Sequence, residues 1–136
     1  MGRIVTQTTI FNSCKQLLDR TTKFIEQFPK TYKFTIGMQM INLSVEMQKT
    51  FTEAYMSNNY SDKFEYMNRF LSSYETYKVL FRMAYDNKWR YGQQNNSPVI
   101  QLIVAIGKEA VSYRKSLLQK IETTTVAIED GFNAES

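Results

Sequence analysis

Histidine is missing from this chain of 136 residues, and cysteine occurs once. Without an imidazole there is no His general base, no Ser-His or Cys-His nucleophile pair, and no HExxH or Glu-x-x-His metal set. Cys14 alone can neither close an intramolecular disulfide nor build a thiolate cage, and it reads as a small apolar core residue on the first helix. Only two prolines and five glycines punctuate the chain, so its elements must be long. There is no apolar run of about 18 residues to span a bilayer. The longest, from Val99 to Ala105, is interrupted by Gln101. No charged n-region is followed by an apolar h-region, so a cytoplasmic protein with no membrane partner is expected. Phosphate-cradling glycine motifs are absent, and the carboxylates are scattered, mostly with a basic neighbour at helical spacing. A ferritin-like di-iron site would need Glu-x-x-His pairs. These absences predict no enzyme, no catalytic residue, no metal and no cofactor.

What the chain does have is basic charge, unevenly spread. The formal net charge is +4, yet the last 15 residues hold four of the 13 acids and none of the 17 bases. Residues 1–121 therefore carry 17 bases against nine acids, a net of +8. A body that basic attracts polyanions, although the same charge also serves solubility.

Hydrophobic periodicity predicts four helices. The first runs from about Thr6 to Gln27, with Phe11, Cys14, Leu18, Thr21, Ile25 and Phe28 on one stripe and Leu17 and Phe24 widening it. Pro29 stops it, because its ring disfavours a helical Phe28. The second begins just after Pro29 and continues to about Ser57. Ile36, Met40, Leu43, Met47, Phe51 and Ala54 share one face of it, while Phe34, Met38, Ile41 and Val45 form another. An apolar arc that wide exceeds what one helix needs in a two-layer bundle. It fits either a central helix or, preferably, a face that meets another copy, so Phe34, Met38, Ile41 and Val45 are the expected oligomer interface.

A turn at 57–62, with Ser61 or Asp62 as N-cap, leads to a third helix from Lys63 to about Asn87. It buries Phe64, Met67, Phe70, Tyr74, Tyr77, Phe81 and Ala84. A loop over 91–98 follows, with Ser97 and Pro98 fitting N-cap and N1 of the fourth helix. That helix buries Val99, Leu102 or Ile103, Ile106, Ala110, Tyr113, Leu117 and Ile121. After Glu122 the pattern fades into Thr123-Thr124-Thr125. The expected organisation is an all-α, antiparallel up-down-up-down four-helix bundle over 1–121 with a mobile acidic tail over 122–136.

Function, if it lies on the surface, lies with cations. Lys78 and Arg82 sit one turn apart on the third helix, with Tyr85 and Trp89 following on nearly the same line. Lys88 and Arg90 extend the basic character. Cations of this kind hold phosphates while an aromatic ring stacks on an unpaired base. Alternatively Glu75 pairs with Lys78, Asp86 pairs with Arg82, and the aromatics close the core. Lys108, Arg114 and Lys115 add charge on the fourth helix. Lys30 and Lys33 open the second helix, where they oppose its dipole. No zinc finger, RRM signature or helix-turn-helix is present, so shape and backbone recognition is the expectation.

Three segments in order resemble the accessory variability determinant (Avd) proteins of diversity-generating retroelements, within the wider four-helix-bundle family that includes the rRNA intervening-sequence proteins. They are Phe28-Pro29-Lys30 with Lys33 and Gly37, the run from Tyr77 to Ala84 with its two basic residues, and Ile106-Gly107-Lys108 followed by 112–116. Tyr113 stands where tryptophan is usual and Ser112 where glycine is usual. The intervening-sequence branch typically has Ser-Ile-Pro-x-Asn-Ile-Ala-Glu-Gly in helix two; the stretch from Asn42 to Met47 differs, so the Avd branch is the better match. The resemblance implies a non-catalytic homopentamer that binds a reverse transcriptase and RNA or DNA and assists mutagenic reverse transcription. It singles out Lys30, Lys33, Lys78, Arg82, Lys108, Arg114 and Lys115 for polyanion or partner contact. The competing expectation is a structural or protein-interaction bundle with no nucleic-acid role.

Overall fold

The structure is a computed structural model that describes residues 8–89 and 97–135. Among these residues it is all-α, with four main helices and no strand. Helix α1 is Thr9–Phe24, continued by a 3-10 turn at Ile25–Gln27. Thr8 caps it, its side chain accepting from the Phe11 amide at 3.3 Å. Pro29 then turns the chain. Helix α2 opens as a single α-turn at Lys30–Tyr32, loosens into a π-helical segment at Lys33–Gly37, and continues as regular helix at Met38–Met56. Helix α3 is Tyr60–Asp86 and α4 is Ser97–Glu135.

Helix α3 starts three residues earlier than its sequence suggests. Asn59 is the N-cap, accepting from the Asp62 amide at 2.8 Å while its own amide donates to the Asp62 carboxylate at 3.0 Å. Asp62 therefore sits in the first turn, where its charge favours the helix N-terminus. Helix α4 departs further from expectation. It does not end near Glu122 but runs on to Glu135. Residues 122–131 are exposed throughout, so position 121 marks a change in burial and not an end of helix.

Sequence-adjacent helices pack on one another, and α4 also returns to α1. The buried faces follow the expected stripes with a small rotation of α1, whose core residues are Ile10, Cys14, Leu17, Thr21 and Phe24, with Phe11 and Leu18 only half-buried. Tyr77 reaches from α3 to α1. The Thr21 hydroxyl donates to the Leu17 carbonyl at 2.6 Å, so the Tyr77 hydroxyl, 2.7 Å away, donates to Thr21. Buried hydroxyls of this kind must be satisfied, and here both are. Between α3 and α4, the Tyr74 hydroxyl donates to the Ile103 carbonyl at 2.6 Å. It has room to do so because Gly107, one turn further along α4, carries no side chain; a Cβ there would overlap the Tyr74 hydroxyl.

Candidate nucleic-acid interface

The end of α3 meets the start of α2, a segment far from it in sequence that also carries cations. The helix closes with Lys88 at φ 55, followed by hydrogen bonds from Lys88 N–H to Tyr85 O and from Trp89 N–H to Ala84 O. This is a Schellman closure with lysine where glycine or asparagine is the ordinary choice. A left-handed backbone costs an L-residue about 1 kcal/mol. The residue that follows Lys88 packs among aromatic rings. The Trp89 indole lies flat on Tyr32, with ring centroids 4.2 Å apart and planes 11° from parallel, and meets Phe28 edge-on at 5.5 Å. Trp89 thus closes the core at this end. Tyr32, which stands between Lys30 and Lys33 in the first turn of α2, remains 41% exposed. One stack therefore brings Lys88 beside the segment that carries Lys30 and Lys33.

The π-helical segment also shapes this end. Gly37, buried against Ile25, permits the close approach of α2 to the end of α1, since a Cβ there would lie 3.3 Å from the Ile25 side chain. Phe34 is left pointing outward, 62% exposed. Met38 and Val45 are exposed on the same side, whereas Ile41 is half-buried and packs against the core.

The remaining cations divide into two groups. Lys78 forms an ion pair with Glu75 at 3.1 Å and lies over the Tyr74 ring at 4.8 Å, and Arg82 pairs with Asp86 at 3.3 Å. Both pairs are at the surface, where such contacts contribute little and exchange readily with other partners. They rim a groove between α3 and α4 of about 660 Å³, floored by Phe81 and Ile103 and flanked by Val79 and Ile100. Arg114 has a structural job: its Nε donates to the Asn68 side chain at 2.6 Å and its guanidinium covers Phe64 at 4.6 Å, tying α4 to α3. Lys108 and Lys115 are exposed, with no ion pair among the described residues. Arg90 lies outside the described residues.

One cation was invisible to sequence reasoning. Lys63 donates to the carbonyls of Tyr55 at 2.8 Å and Ala54 at 3.2 Å, in the last turn of α2. Desolvation and, after it, Lys120 lower its pKa. Its partners are eight and nine residues away across a turn, a spacing that no helical pattern encodes.

A second hollow, about 600 Å³, lies where α1 begins beside α2 and α4, lined by Ile10, Phe51, Tyr55, Glu109 and Tyr113. Glu109 Oε2 is buried without a hydrogen-bond partner, and burial raises the pKa of its carboxyl. Cys14 is buried; desolvation, helped by the charge of Glu109, pushes its thiol up to about 12, so it is a neutral packing group and not a nucleophile. Among the described residues no cluster of three or more His, Cys, Asp or Glu is arranged to hold a metal ion, and no helix is long and apolar enough to cross a membrane. No protein-family model matches the sequence, and no curated protein is significantly similar to it.

Proposed function

We propose that this protein is an antiparallel up-down-up-down four-helix bundle that works as a non-catalytic, oligomeric accessory protein of a diversity-generating retroelement, binding nucleic acid and a reverse transcriptase. The topology is supported by paired contacts that run in opposite directions along α3 and α4: Tyr74 meets Ile103, while the earlier Asn68 meets the later Arg114. The nucleic-acid reading rests chiefly on the Tyr32–Trp89 stack, which sets the residue after Lys88 against a partly exposed tyrosine that lies between Lys30 and Lys33 in the chain. Single-stranded nucleic acid is held by that combination, with phosphates on the lysines and a base against the ring. The strained Lys88 adds to it, because a left-handed lysine is retained at a cost where glycine would be easier. The reverse-transcriptase partner and the pentameric count rest on the resemblance of the sequence to Avd proteins. A second reading, an interaction bundle whose charge is incidental, draws on the Lys78–Glu75 and Arg82–Asp86 pairs, which neutralise the most prominent cations of α3.

The deciding experiment is a salt titration of single-stranded RNA binding. Affinity is expected to fall steeply with salt, and replacing Lys30, Lys33 and Lys88 together by Glu is expected to reduce the logarithmic slope by about two. Lys88→Gly sharpens the test. It relieves the left-handed strain, so thermal stability rises by about 1 kcal/mol while RNA affinity falls. Tight binding that ignores all three lysines would place the RNA site elsewhere on the surface, and no binding in dilute buffer would favour the interaction bundle.

A further inference from the structure

The outer face of α4 carries a repeat that the core does not use. Beginning at Val104 and stepping alternately four and three residues, the positions read valine, lysine, valine, lysine, leucine, glutamate, threonine and glutamate, ending at Glu129. This is heptad spacing on one continuous helix. All of these positions are exposed except Leu118, which is half-buried. The first half of the stripe is cationic through Lys108 and Lys115, and the second half is anionic through Glu122 and Glu129. None of the four has an ion pair among the described residues.

A stripe with that polarity is complementary to itself only when reversed. Two α4 helices laid side by side in parallel set lysine on lysine and glutamate on glutamate. Laid antiparallel about a two-fold axis between Leu118 and Gln119, they set Lys115 against Glu122, Val111 against Val126, and Lys108 against Glu129, each contact occurring twice. Such isologous pairing is what a two-fold interface requires. The apolar contact that flanks each Lys115–Glu122 pair is available, since Val111 is 56% exposed and Val126, next to Thr125 of the stripe, is 53% exposed. A fold-back within one chain is impossible, because α4 is uninterrupted from Ser97 to Glu135. The overhang also needs cover. Its three consecutive threonines and Gly131 are poor helix formers, and a projecting helix of this length is marginal in water on its own.

We propose that the acidic overhang of α4 docks on the basic half of α4 in a second copy of the chain, forming an antiparallel helix pair distinct from the α2 face. Contact from Lys108 to Glu129 extends along about 32 Å of helix. The pairing covers Lys108 and Lys115, so it competes with polyanions for those two lysines and leaves the cluster around Tyr32 open.

The test is disulfide trapping in the nuclease-treated full-length chain carrying Val111→Cys and Val126→Cys. The two positions are about 22 Å apart within one helix, beyond disulfide reach, so a bond between them links two copies. The native Cys14 is buried. Oxidation is expected to give a covalent dimer. Adding E122K and E129K makes the stripe basic throughout, and adding K108E and K115E makes it acidic throughout. Each change alone is expected to lower the dimer yield about tenfold, as repulsion replaces several exposed ion pairs. An equimolar mixture of the two variants is expected to restore the yield, because every facing pair is then opposite in sign. Absence of the dimer, indifference to both reversals, or failure of the mixture to recover would each overturn the pairing. None of these outcomes depends on RNA binding, so they leave the proposed function to its own test.

Discussion

Tyr77 and Cys14 make the interior sensitive to alkali. Burial pushes the Tyr77 phenol from 10.0 up to about 12. The folded state therefore holds that proton more tightly than the unfolded chain does. Stability from this group is intact below pH 10 and is lost as pH rises towards 12, at about 1.4 kcal/mol per pH unit. Cys14 acts in the same sense from its ordinary 9.0 upward. Denaturant unfolding across alkaline pH is expected to give a stability that declines from pH 9. Tyr77→Phe is expected to cost about 1 kcal/mol at neutral pH, through the lost hydrogen bond, and to flatten the decline above pH 10. A decline as steep in the Phe variant as in the parent would place the sensitivity elsewhere.

Between elements, the α3–α4 contact turns on a fit between one hydroxyl and one missing side chain. Gly107→Ala sets a methyl group against the Tyr74 hydroxyl, which would have to give up its bond to the Ile103 carbonyl to move aside. The expected cost is about 2 kcal/mol by equilibrium unfolding, the usual penalty for overpacking. Tyr74→Phe removes both the hydrogen bond and the obstruction. In the double variant the alanine is therefore expected to cost about 1 kcal/mol less than in the parent. Strict additivity would mean that Tyr74 does not set the helix separation. The glycine was legible as a motif position in the sequence. Its partner was not, because nothing in a one-dimensional pattern pairs position 74 with 107.

For the whole molecule, the outward stripe of α2 is one apolar surface that folding leaves over among the described residues. Phe34, Met38 and Val45 face solvent, while Ile41 contributes partly to the core. Under the proposed assembly, Met38→Lys introduces four methylenes and a charge at an exposed site without touching the core. Sedimentation is expected to show the assembly reduced to a species no larger than the α4-linked pair, with helix content unchanged. An undiminished mass would remove α2 from the interface. Ile41→Glu is a poorer probe, because burying its carboxylate would cost stability whether or not copies associate.

The sequence by itself determined the elements. Hydrophobic spacing located all four helices and most of their buried faces, since a 3.6-residue period is a local property that survives without knowledge of neighbours. It likewise marked Lys78 with Glu75 and Arg82 with Asp86 as alternatives to a ligand site, a matter of three- and four-residue offsets. It misjudged α3's start because Asn59 outcompeted Ser61 and Asp62 as a cap. It also ended α4 too early because apolar periodicity fades where a helix leaves the core. Only the tertiary structure decided that Trp89 lies on Tyr32, that Lys63 seals α2, and that Arg114 is a tie between helices. Each of those depends on two segments meeting in space, and the chain carries no local signal for a meeting that packing alone arranges.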